Sequence, residues 1–290
     1  MDVSTVYNPP NISRFQALIP ETPLVISGAL GGPCVVFMLT PLRNALTLAS
    51  QDRVSSAIQI YKQIFKGRIT KGWTGGIYPS IPAVPQFVTL GPLYHVYTGL
   101  VGPYGALFLT AATESAFTFG AHSRNAQLAF NESVAPQRRI KQISSVFTIV
   151  GPGIIPHICR NCVGMTGIRI FSKPVRSELD KAFPNSSDKV KRTASDFIGS
   201  LISGVLSTPF NQTFNFFATS QVQHLGRRER LRVAQAFLKS QYFVTTNGNK
   251  LRPSKLMMRD IALRSVYSMG LFGIYATFER NMVDYWYSSD

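Results

Sequence analysis

Residues 38–51 read MLTPLRNALTLASQ. The stretch closes a run of 21 residues, 22–42, that contains no Asp, Glu, Lys or Arg before Arg43. About 20 predominantly apolar residues are what a helix needs to cross a bilayer. Pro41 falls at the end of that run, where a proline removes an N–H donor and kinks a helix. Arg43 follows it at +2 and Leu46 at +5. An apolar run, a proline and a short polar turn together mark the end of a membrane-embedded helix.

The rest of the chain repeats that alternation. Residues 72–123 carry Glu114 as their one charge, and residues 197–226 carry none. The long run holds two spans, with a break at GLVGPYG (99–105). Two weaker spans cover roughly 143–172, interrupted by Arg160 and Arg169, and 261–283, interrupted by Arg264 and Glu279. The expectation is an all-α membrane protein with six transmembrane helices. Charged residues make up only 15% of the 290, which fits a polytopic chain better than a soluble one.

Net charge is +16, and its distribution assigns it to a membrane face. The segments 43–72, 123–160 and 224–264 hold 21 of the 30 basic residues and 4 of the 14 acids. Such a bias is expected of loops that stay on the inserting side, beside anionic lipid. No basic folded module or stacking pattern accompanies the charge, so no nucleic-acid partner is expected. The first residues show no secretory signal or Arg-rich presequence. Three cysteines suggest no disulfide framework. Cys159-x-x-Cys162, with His157 nearby, lacks the second ligand pair that a metal site needs, so no metal is expected. No catalytic constellation is visible, so the protein is not expected to be an enzyme.

Internal similarity organises the chain further. LRNAL (42–46) recurs as SRNAQ (123–127) and FNQTF (210–214), preceded by Pro41, His122 and Pro209. Each core leads to an amphipathic stretch: 53–65, 138–150 and 230–243. Apolar residues recur there at i, i+3, i+4 spacing, as in a helix lying along a membrane surface. The repeats run approximately over 15–101, 102–185 and 186–290 of one domain spanning 1–290.

This pattern resembles the mitochondrial carrier family. Gly67, Trp73, Gly75 and Pro79 in KGRITKGWTGGIYPSIP, and GIIPHICR at 153–160, stand close to that family's pattern. The resemblance implies three pseudo-repeats with matrix-side amphipathic helices, placed in the mitochondrial inner membrane. It also implies cardiolipin held near Gly67, Trp73 and Gly75. Residues in the central cavity near Arg160, with Arg259, Arg264 and Glu114, would contact an anion.

The same resemblance exposes what the chain lacks. The family closes its matrix side with ion pairs between an acid at +2 and a base at +5 behind each proline. Here the +2 residues are Arg43, Arg124 and Asn211, and the +5 residues are Leu46, Gln127 and Phe214. No position carries its family charge. Two functional expectations follow. One is a degenerate member retained as a structural accessory subunit, beside other inner-membrane proteins, in an assembly such as a respiratory complex. The other is an active transporter of a small anionic metabolite or nucleotide. Gly28, Gly31, Gly32, Gly199 and Gly204 are expected to serve close helix packing.

Overall fold

A computed structural model describes residues 21–220, 222, 225–246 and 250–288. The reading of the N-terminal residues and the start of the first repeat lie outside them.

The first helix, α1 (Thr22–Met38), contains a π-helical turn at Ser27–Gly31. Leu39 leaves helical geometry, and α2 (Thr40–Ala49) bends away by 48°. Pro41 sits in the first turn of α2, where its missing N–H has no intrahelical partner to lose. The apolar face of α2 places Ala45, Leu46 and Leu48 against Ile60 and Ile64 of α3 (Ala57–Ile64). A capping box between Ser56 and Gln59 starts α3.

A 3₁₀ turn, Ile69–Trp73, leads into α4 (Ile77–Ser133), whose 57 residues depart from helical geometry at Gly102 (φ 75°, ψ 171°). The chain reverses there. Gln86 Nε2 donates to Glu114 Oε1 at 2.6 Å, and the Tyr97 and Thr113 hydroxyls lie 3.2 Å apart. Straight helix would separate residues 86 and 114 by about 40 Å.

An extended segment joins α4 to α5 (Ile154–Thr166), which continues through a π-helical turn, Gly167–Phe171, into α6 (Ser172–Ala182). Then come α7 (Asp188–Thr219) and α8 (Arg227–Tyr242). A two-stranded antiparallel hairpin, β1 (Phe243–Thr246) and β2 (Lys250–Pro253), pairs Phe243 with Pro253. The last helix is α9 (Lys255–Tyr287), with a π-helical turn at Met269–Gly273.

The structure corrects the expected architecture. Among the described residues one helix, α9, is long and apolar enough to cross a membrane, or two if α1 and α2 form one bent span. Six do not reach that standard. The physical reason is that uncharged is not the same as apolar. The run 197–226 is rich in Ser, Thr, Asn and Gln, and α7 buries Ser200, Ser203, Ser207, Thr208, Asn211 and Gln212. The run 72–123 covers α4 on both sides of the reversal at Gly102, within the expected break at 99–105, but neither limb reaches that standard.

Two of the three expected surface helices form, as α3 and α8. The stretch 138–150 does not form one: only Pro136–Arg138 makes a 3₁₀ turn there. The hairpin also departs from an all-α chain. Gly28, Gly199 and Gly204 do serve close approach. A Cβ on Gly28 would sit 2.9 Å from the Val88 nitrogen, and one on Gly199 would sit 2.5 Å from the Gly167 carbonyl oxygen.

The interior is unusually polar and much of the exterior is apolar. Ser115, Thr118, Asn125, Ser200 and Gln212 are buried, while Leu30, Phe37, Phe108, Phe117 and Leu206 are exposed.

Candidate functional site: a neutral helix-end closure above a basic cavity

The C-terminal ends of α2, the second limb of α4, and α7 meet through amide hydrogen bonds. Asn125 on α4 donates from Nδ2 to Asn44 Oδ1 on α2 at 3.2 Å. Gln127 on α4 donates from Nε2 to the Ala218 carbonyl on α7 at 3.1 Å. Gln51, just past α2, donates from Nε2 to Thr219 Oγ1 on α7 at 2.6 Å. The three contacts join the three helix ends pairwise. Asn44 and Asn125 also donate to the Thr74 carbonyl, fixing the turn before α4 to the same ring.

The positions behind Pro41, His122 and Pro209 are largely committed to neutral or apolar contacts. Leu46 is buried among Ala45, Ile60, Leu263 and Tyr267. Phe214 packs with Phe119, Ala126 and Ala218. Arg124 lies over the Tyr78 ring, 4.8 Å from its centroid, and donates to the Ser144 carbonyl at 3.1 Å. Among the described residues none of the six +2 and +5 positions enters an ion pair.

Beside this closure lies a cavity of about 60 Å³, lined in part by Arg43, Glu114, His122, Arg160, Asn211 and Arg264. Arg160, on α5, is the hub. Its Nη1 donates to Asn211 Oδ1 at 3.2 Å, and its Nη2 donates to His122 Nδ1 at 2.5 Å and His157 Nε2 at 2.9 Å. A guanidinium has no acceptor, so both imidazoles must face it with an unprotonated nitrogen. Phe214 covers the Arg160 guanidinium from 4.7 Å.

Arg43 Nη2 donates to the Tyr267 hydroxyl at 2.5 Å, and Arg264 lies 5.3 Å from the same ring while its Nε donates to Ser207 Oγ. Glu114 is the one carboxylate lining the cavity. It accepts from Gln86 and forms no ion pair within 4 Å among the described residues. Of the cavity's own side chains, Arg43 Nη1 and Asn211 Nδ2 are buried donors without a hydrogen-bond partner among the described residues.

The structure therefore unites Arg43, Glu114, His122, Arg160, Asn211 and Arg264. It separates Arg259, which the sequence had grouped with them. Arg259 instead donates to the carbonyls of Ala49, Asp52 and Ser55 and pairs with Asp260 at 2.8 Å. It is a clamp on the last turn of α2, where carbonyls lack intrahelical donors.

Gly67 and Gly75 adopt positive φ, at 92° and 73°. Trp73 packs edge-on against Phe65, 5.9 Å between centroids. A Cβ on Gly75 would sit 2.9 Å from Asn125 Nδ2, so this glycine lets the turn approach the amide ring. Cys159 and Cys162 are half-buried and free. Among the described residues no group of three His, Cys, Asp or Glu side chains could hold a metal.

Sequence reasoning missed His157 as a partner of Arg160, and with it Tyr267 and the amides Asn44, Gln51 and Asn125. His157 carried a signal, since it lies three residues before Arg160 on one helix face. The amides carried none, because nothing local marks a neutral side chain for a partner 80 or more residues away.

No family model matches the chain and no curated protein sequence matches it.

Proposed function

We propose that this protein is a non-transporting accessory subunit of a mitochondrial inner-membrane assembly, of the respiratory-complex kind, and a divergent relative of the carrier family. The neutral ring at the ends of α2, α4 and α7 carries the reading. An alternating-access protein needs a closure with two states of nearly equal free energy. Hydrogen bonds from side-chain amides and packed rings, in place of charges that can re-pair, favour one state. The cavity of about 60 Å³ holds a few waters or a small ion, not a nucleotide.

Apolar exterior faces around a polar interior support placement in lipid, since soluble surfaces rarely leave so many large apolar side chains outside. Cardiolipin fits the turn Gly67–Gly75, where Lys66 stands beside backbone held at positive φ and Lys71 is shared with Glu132 at 3.0 Å. Native electrophoresis of gently solubilised inner membranes tests the assignment. Co-migration with a large complex is expected, and a free monomer under conditions that keep the complexes intact overturns it.

A second reading, binding and exchange of a small anion, draws on one observation. Three guanidiniums face the cavity beside one carboxylate, and Arg43 Nη1 and Asn211 Nδ2 stand unpartnered there. Buried cations without counter-charge are costly, and an anion relieves that cost. Uptake of an anion from a metabolite panel into liposomes would favour it. Failure of folded protein to exchange any of them removes it.

A further inference from the structure

The segment between α4 and α5 is a strap laid along one face of α4. Asn131 brackets it at both polarities: Nδ2 donates to the Ile140 carbonyl and Oδ1 accepts from the Ile140 amide, each at 2.8 Å. One turn earlier, Gln127 Oε1 accepts from the Ile143 amide at 2.8 Å. Arg124 Nη1 then donates to the Ser144 carbonyl. At Gly120 the strap touches helix backbone, and a Cβ there would sit 2.3 Å from the Val146 carbonyl oxygen. Positions 131, 127, 124 and 120 fall on a single helical stripe. The strap is thus held by its main chain, which leaves side chains free to face outward.

Among the exposed side chains are large apolar groups and cations. Phe147 is 80% exposed, Val150 71% and Ile149 56%. Arg138, Arg139 and Lys141 are also exposed, and none of them enters an ion pair among the described residues. No acid occurs anywhere from residue 133 to residue 177.

We propose that the strap is an anchor for an anionic lipid surface. Phe147, Ile149 and Val150 enter the boundary between headgroups and acyl chains, and Arg138, Arg139 and Lys141 hold lipid phosphates. Exposed apolar groups beside cations with no nearby acid are complementary to that boundary on both counts. The strap's backbone is paired with α4 at Ile140, Ile143 and Ser144, which reduces the ordering that opposes insertion of the adjoining tip. The anchor rests on the membrane placement proposed above and gives it a specific site.

The test places a reporter at the tip. The full chain carrying Phe147→Trp, with Trp73→Phe and Trp286→Phe so that it holds a single indole, is reconstituted with phosphatidylglycerol or with phosphatidylcholine, each brominated on the acyl chains. Emission of the introduced indole is expected to shift to the blue and be quenched in phosphatidylglycerol, and less so in phosphatidylcholine. Adding Arg138→Gln, Arg139→Gln and Lys141→Gln is expected to lower the engaged-to-free ratio on the order of a hundredfold, with helix content unchanged.

Three outcomes overturn the anchor. The reporter could keep water-exposed emission while the protein stays with the vesicles; the strap then has another occupant, such as an acidic protein, and the membrane placement survives. Quenching could be equal in the charge-neutralised variant. Or the protein could leave the vesicle fraction altogether, which overturns the membrane placement as well.

Discussion

Asp52 organises the loop that follows α2. Its Oδ1 accepts from the Val54 and Ser55 amides at 2.8 and 2.7 Å, and its Oδ2 accepts from the Ser55 hydroxyl at 2.8 Å. Partial burial pushes its pKa up, but these hydrogen bonds, with Arg259 beside it, outweigh burial and hold the carboxyl below its ordinary 3.8. A folded pKa below the unfolded one means the unfolded chain binds the proton more tightly. The stability this group contributes is therefore present above pH 3.8 and is lost as pH falls through the folded value. Asp52→Ala should cost about 1–2 kcal/mol at pH 7, and its gap to wild type should narrow toward pH 3. Paired denaturant titrations at the two pH values measure this, and a gap independent of pH would contradict it. Gln127 tests the closure at the same scale. Its two hydrogen bonds hold the Ala218 carbonyl and the Ile143 amide. Gln127→Ala leaves both backbone groups without their partner and should cost about 1–3 kcal/mol in chemical denaturation. A surface glutamine would cost almost nothing, so a null result places the ring outside the stabilising contacts.

Two glycines of α4 separate backbone strain from steric crowding. Gly102 has open space around its Cβ position, but φ 75° with ψ 171° lies in a region that essentially only glycine occupies. Gly102→Ala should destabilise by about 1–3 kcal/mol through the backbone alone, read in the same denaturant titration. Gly120 is ordinary helix, and its constraint is the strap carbonyl. Gly120→Val should leave helix content intact and lift the strap, so trypsin cleaves faster after Arg138 and Arg139. Equal cleavage rates in variant and wild type would detach the strap from that face. The same elements show what could be read from sequence. The spacing of Ile60 and Ile64 marks an amphipathic helix, and both are buried in α3. The stretch 138–150 carries a similar spacing and forms no helix, because its backbone groups are claimed by Asn131, Gln127 and Arg124 from α4. Periodicity reports which residues share a face only once the backbone is helical. The arginines and Glu114 of the cavity stood out as charges inside uncharged runs. Arg259 was grouped with them by the family resemblance alone and went elsewhere, to the carbonyls at the end of α2.

At the scale of the molecule, the question is whether the closure ever opens. None of the +2 and +5 positions pairs charges across the helix ends, and neutral residues nearby join those same three ends. Asn44, Gln51, Asn125 and Gln127 close the ring. Covalent closure distinguishes a seal from a gate. In a variant lacking Cys34, Cys159 and Cys162, Gln51→Cys with Thr219→Cys places two thiols where 2.6 Å now separates the polar atoms. A short bis-reactive thiol linker across them should leave assembly into the larger complex and thermal stability unchanged or raised. If the ring is a gate, the linker should abolish anion exchange in liposomes, and reduction of a cleavable linker should restore it. Restored exchange would replace the accessory reading with a transporter whose moving part is an amide ring.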